Sequence, residues 1–112
     1  MTEHSREWTT SLTDLDRIKI RMIRDQHAII EFSAQYEILY AGHWRKVTRY
    51  DNAHGYPHRH VHYPYNEEYR QIMHVIDNNE AFTEAVTVIK NNFMKFRENY
   101  ILRLESQRGG ES

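Results

Sequence analysis

Residues 27–40, HAIIEFSAQYEILY, then Ala41-Gly42, then residues 43–51, HWRKVTRYD, decide the fold. Apolar residues alternate with polar ones from Ala28 to Tyr40. Ala28, Ile30, Phe32, Ala34, Tyr36, Ile38 and Tyr40 fall on one face, and Glu31, Ser33, Gln35 and Glu37 on the other. A period of two sends neighbouring side chains to opposite faces, so this is a strand with one packed side. Gly42 supplies positive φ cheaply, so Ala41-Gly42 reads as a hairpin turn. Residues 43–51, rich in β-formers, return as the partner strand.

Working outward towards the N-terminus, residues 12–24, LTDLDRIKIRMIR, predict a short helical turn and then a strand over about 17–24. Asp25-Gln26 closes that strand in a turn. Residues 1–11 read as a loose start, polar and without a clear period.

Towards the C-terminus, residues 52–57, NAHGYP, form a loop, because Asn, Gly and Pro interrupt regular structure. Residues 58–63, HRHVHY, alternate again, and Pro64 ends them or sets them at a sheet edge. Residues 66–76 fit two templates. Tyr69, Ile72, Met73 and Ile76 have helical spacing with Asn66 as a cap, and a strand over 69–76 fits as well. Asp77…Glu80 has capping-box spacing. Residues 80–105 then form a long amphipathic helix, with Phe82, Val86, Ile89, Phe93, Phe96, Tyr100 and Leu104 on one stripe. The tail from 106 to 112 is expected to fray.

These elements predict an α+β domain spanning 1–112. A small antiparallel sheet of three to five strands packs on one face against the C-terminal helix. A helix partner from a second copy of the chain, making a homodimer, is the alternative use of that stripe.

Composition narrows the function classes. No run of about 18 apolar residues exists, so no membrane span is expected. The opening MTEHSREWTTSLTDLD lacks an apolar core and carries acids, so no secretory signal is expected and the cytoplasm is the predicted location. Zero cysteines exclude disulfides, thiolate zinc sites and cysteine nucleophiles. A net charge of −1 excludes a generally basic nucleic-acid binder.

That average hides a local patch. Residues 41–70 hold five of the eight histidines and five of the eight tyrosines. Arg45, Lys46, Arg49, Arg59 and Arg70 outnumber Asp51, Glu67 and Glu68 there. On a strand, His58, His60 and His62 share a face. Asp51 closes the preceding strand and His54 sits on the connecting loop, so both can reach the same rim. Arg45, Lys46 and Arg49 come from the neighbouring strand.

Three chemistries fit this set. Metal-free RNA cleavage needs a base and an acid, which a histidine pair or a histidine with a carboxylate provides near neutrality. Arg and Lys would hold the charged phosphorane. A His-x-His pair with a carboxylate can instead ligate zinc or another divalent transition metal, using His58, His60 and either Asp51 or His62. The histidines can also simply bind phosphate or bases alongside the tyrosines, without catalysis.

The run Ile30-Glu31-Phe32-Ser33, then Trp44…Arg49-Tyr50-Asp51-Asn52-Ala53-His54, then Pro57-His58-Arg59-His60, resembles the TumE-like toxin family of bacterial and archaeal toxin–antitoxin operons. The resemblance covers about residues 28–62. Carried over residue by residue, it marks Arg49, Tyr50, Asp51, Asn52, His54, His58 and His60. It implies an RNA-directed ribonuclease toxin held by a cognate antitoxin. The combined expectation is catalysis by Asp51, His54, His58 and His60. Arg45, Lys46, Arg49, Tyr50, Asn52 and His62 would bind the RNA. No cofactor is required in this version, zinc being the alternative.

Overall fold

The protein is described here by a computed structural model covering residues 3–53, 55–62, 64, 68–75 and 77–109. Six strands follow one another: β1 (Glu3–Thr13), β2 (Asp16–Asp25), β3 (Ala28–Tyr40), β4 (His43–Asp51), β5 (His58–His62) and β6 (Glu68–Ile72). Among the described residues one helix, α1 (Asn78–Gly109), follows the strands. The strands pair in sequence order, each antiparallel to the next, in a single meander. The fold is therefore α+β with a C-terminal helix on an antiparallel sheet. The sheet has six strands rather than three to five.

The unexpected strand, β1, and the strand that had a helical alternative, β6, lie at the two edges. Residues 1–11 were expected to be loose, but Glu3–Thr13 is a full strand paired to β2. Its polar sequence reflects its place. An edge strand needs few apolar side chains, and here Trp8, Thr10 and Leu12 are the half-buried positions. Nor is there a helical turn over 12–16. The chain reverses at Asp14–Leu15, leaving Leu15 48 % exposed, and β2 starts at Asp16. At the other edge, residues 68–72 take the strand template rather than the helical one. Pairing with β5 satisfies backbone groups that a helix on this short segment would leave open on β5. Asn66 and Ile76, the cap and last member of the helical reading, lie outside the described residues.

The central hairpin forms as the sequence predicts, with Ala41 and Gly42 both at positive φ (53° and 79°). This is the pattern of a turn whose twist matches its strands. The single-face reading of β3 needs one correction. Pairing with β2 skips Ile30, so a bulge lies there. The extra residue turns Ile29 inward (8 % exposed) and Ile30 outward (44 %). Asn52 holds this bulge: its Oδ1 accepts from the Phe32 amide at 3.1 Å and its Nδ2 donates to the Ile30 carbonyl at 2.9 Å.

The helix starts at Asn78, with the Asp77 carboxylate accepting from the Glu80 amide at 3.0 Å as the cap. It runs on to Gly109, four residues past its expected end. Asn78 and Asn79 tie its first turn to the start of β3 through Ile29 and His27. Val86, Thr87, Val88 and Ile89 are poor helix formers, costing up to about 0.7 kcal/mol each. Burying Ile89 completely in the core to which β3 gives Phe32, Ala34, Tyr36 and Ile38 returns about 1.5–3 kcal/mol, and Val86 and Val88 pack against the same core, so packing prevails over propensity.

Beneath the helix lies a buried polar knot. The Tyr36 hydroxyl donates to Asp16 (2.5 Å) and lies 3.0 Å from the Phe93 carbonyl. Arg97 on α1 donates to the other Asp16 oxygen at 2.7 Å, and Thr13 also bonds to it. Asp16 is wholly buried, and these partners are what make its burial tolerable.

Candidate metal centre

Strand register assembles the site. Asp51 pairs with His58 and Arg49 with His60 across the β4–β5 ladder, so these four share one face. The alternate residues point the other way. Tyr50 is in the core, and the Arg59 guanidinium lies over Phe96 of α1, 5.0 Å from its centroid. Asp51, His58 and His60 are thus on the side of the sheet away from the helix. They are nonetheless 5 %, 3 % and 2 % exposed.

The ring orientations are fixed by what each Nδ1 meets. In His58 it lies 3.0 Å from the Tyr56 carbonyl oxygen. A carbonyl only accepts, so His58 Nδ1 carries the hydrogen. His60 Nδ1 bonds to the Glu68 carboxylate from β6 and donates for the same reason. That bond holds the Glu68 carboxyl below the usual carboxylate range, although its partial burial acts the other way. In each neutral ring the lone pair is therefore on Nε2. His58 Nε2 is 3.1 Å from Asp51 Oδ1, and His60 Nε2 is 3.3 Å from Asp51 Oδ2.

Asp51 is ionised. Burial alone would push its carboxyl up, but the Ala53 amide at 3.1 Å and the Arg49 Nε at 2.7 Å outweigh that and hold it low. Two nitrogen lone pairs therefore face a carboxylate, an arrangement that asks for a cation. The two rings stand with centroids 4.5 Å apart, and Arg49 already pairs with the carboxylate between them. A single divalent ion would satisfy all three groups. Ligand atoms about 2.0–2.1 Å from a tetrahedral zinc-type ion stand about 3.3–3.4 Å from one another, and each Nε2 is near that distance from its own Asp51 oxygen. All three ligand atoms lie within 4.8 Å of one another. Donation of the second ring nitrogen to a carbonyl or carboxylate is also how metal-binding histidines are usually held.

The expected site residues distribute unequally. Asp51, His58 and His60 converge, with Arg49 in contact with Asp51. His62 stacks on His60 (centroids 6.4 Å, planes 11° apart) but is not part of the ligand group, so the carboxylate takes the place that His62 was the alternative for. Burial keeps the His62 imidazole below the ordinary histidine range, with Glu68 opposing. Its buried Nε2 has no hydrogen-bond partner among the described residues. Lys46 lies further along the same face, opposite Glu37. Arg45 is at the hairpin end, against Tyr40. Tyr50 faces the helix, and Asn52 spends both amide atoms on the β3 bulge, so neither joins the cluster. His54 lies outside the described residues. Glu68 was not among the expected site residues. Its only sequence signal was its charge, since its place depends on β6 pairing with β5.

A cavity of about 80 Å³ adjoins the site, lined by Tyr56, His58, Arg70, Gln71 and Ile72. It has room for several waters beside a cationic side chain.

A family model described as a domain of unknown function (DUF7718) matches residues 1–106. No curated protein and no solved structure matches the chain.

Proposed function

The chain belongs to the DUF7718 family, and from that premise we propose that it binds one divalent transition-metal ion through Asp51, His58 and His60 and uses it to hydrolyse a phosphate ester. The observation that carries this reading is the convergence of two Nε2 atoms, each with its Nδ1 already engaged, on one ionised carboxylate. Imidazole and carboxylate ligands suit zinc and its first-row neighbours. Three protein ligands leave a position for water, which such an ion can bring to a pKa of about 7. The cavity beside His58 is where that water and a phosphoryl oxygen would enter, with Arg70 to meet the negative charge.

RNA is the substrate class that the TumE-like resemblance points to. The geometry favours the metal-dependent version of that expectation over the metal-free one. A general acid–base pair needs ring nitrogens turned to the substrate, and here each Nδ1 is committed to a carbonyl or carboxylate while each Nε2 faces Asp51.

The test is metal analysis of the purified full chain, followed by RNA cleavage with and without chelator. About one ion per chain is expected, lost in Asp51→Ala, His58→Ala and His60→Ala and kept in His43→Ala. A chain that neither retains metal nor binds added zinc, or that binds it equally well in all four variants, overturns the metal centre. Metal binding without chelator-sensitive cleavage overturns the hydrolytic part alone.

A further inference from the structure

The opposite face of β5 carries a second feature, which among the described residues meets the candidate metal centre only at His62 and Gln71. The helix covers β3 and part of β4, but β5 and β6 extend past it. In the resulting angle lies a cavity of about 240 Å³ between the C-terminal half of α1 and strands β4 to β6. Among the described residues two guanidiniums line it, Arg59 from β5 and Arg103 from α1, and no carboxylate does. Gln71 and Asn99 add side-chain amides, and Tyr69 and Phe96 add rings.

Arg59 is held ready. Its Nε donates to Thr48 Oγ1 at 3.0 Å, and Thr48 Oγ1 in turn donates to the His60 carbonyl at 3.0 Å. Its guanidinium carbon lies 5.0 Å from the Phe96 centroid and 5.6 Å from that of Tyr50. The plane is thus fixed by two rings and a hydroxyl. Among the described residues no carboxylate pairs with it, unlike Arg17, Arg21, Arg49 and Arg97. A fixed, planar guanidinium beside a second one is a donor set that takes a phosphate in bidentate fashion.

The other walls add to this specification. The Tyr69 ring is 52 % exposed, a stacking surface kept at the mouth rather than used in the core. Two neutral amides can each donate and accept, as the edge of a heterocyclic base requires. The volume is below that of a drug-sized pocket, which limits the occupant to a molecule of about one nucleotide. We infer that this cavity binds a nucleoside monophosphate, with the phosphate on Arg59 and Arg103 and the base between Tyr69 and the two amides.

Isothermal titration of the full chain with AMP and CMP, and with adenosine and inorganic phosphate as the separated halves, tests this. Saturable binding of a nucleotide is expected, with each half at least about tenfold weaker. Arg59→Gln should weaken it about ten- to hundredfold, the range for losing a charge-assisted hydrogen bond. Arg59 also contacts the core, so Asn99→Asp provides a second test. Asn99 is exposed on the helix, and a carboxylate there should repel the phosphate without affecting the fold. Metal content should be unchanged in both variants, because Arg59 and His60 are on opposite faces of β5. Absence of saturable nucleotide binding at millimolar concentration overturns the inference. So does adenosine or phosphate binding as tightly as the nucleotide, or Asn99→Asp binding like the wild type.

Discussion

His60 Nε2 and Asp51 Oδ2 stand 3.3 Å apart although the two residues are not opposite each other in the ladder: Asp51 pairs with His58, and His60 with Arg49. The contact is diagonal. It brings a second imidazole to the carboxylate that direct pairing gives to His58 alone, and Glu68 on β6 fixes the ring that makes it.

Glu68 should therefore act through His60 on metal affinity. Glu68→Gln leaves the three ligands in place but removes the charge that orients the ring. Supporting residues of this kind typically contribute 10–100-fold, so zinc affinity should fall by about that factor, against near-complete loss in His60→Ala. Competition titration with a chromogenic chelator measures both. Equal affinity in wild type and Glu68→Gln would mean the ring is held by packing alone.

Acid should weaken the metal-free protein through Asp51. Its folded carboxyl titrates below the ordinary value, with the Ala53 amide and Arg49 outweighing burial. A lowered folded pKa gives stability that is present above the unfolded value, about 3.9, and is lost as the pH falls through the folded one. The stability difference between wild type and Asp51→Asn should thus be largest above about pH 4 and shrink below it. Urea unfolding of both proteins from pH 7 to pH 2.5 gives the comparison.

Alkali should act through Tyr36. Burial first, and then the hydrogen bond to Asp16, push its hydroxyl well above the ordinary tyrosine range. A raised folded pKa gives stability that is fully present below the unfolded value, about 10, and is lost as the pH rises beyond it. Tyr36→Phe should cost about 1–3 kcal/mol at neutral pH, because the buried Asp16 carboxylate loses a donor. The variant should then lose less than wild type above pH 10. Thermal unfolding monitored by circular dichroism at pH 7 and pH 11 distinguishes the two.

Ala41 occupies the left-handed region, at φ 53°, in the first position of the β3–β4 turn. Asn tolerates that conformation better than Ala. Ala41→Asn should raise stability by about 0.5–1 kcal/mol with metal binding unchanged, since the turn is at the far end of β4 from Asp51. A loss of stability on chemical denaturation would show that the turn does not need that conformation.

The sequence by itself determined the central hairpin, its Ala41-Gly42 turn, the Asp77 cap and the helix stripe from Phe82 to Leu104. Each is local: a period of two, a positive-φ pair, a three-residue cap, a helical repeat. It also determined that Asp51, His58 and His60 could meet, because adjacent strands and one shared face are enough for that. The edges required tertiary structure. β1 is polar and β6 fits two periods, so only pairing with β2 and β5 decided that both are strands. The Ile30 bulge likewise came from pairing, since alternation alone placed Ile29 outside. Choosing Asp51 over His62, recruiting Glu68 and turning Tyr50 into the core all follow from register and ring orientation. A one-residue change in pairing reverses the face of every side chain in a strand, and residue type carries no record of that change.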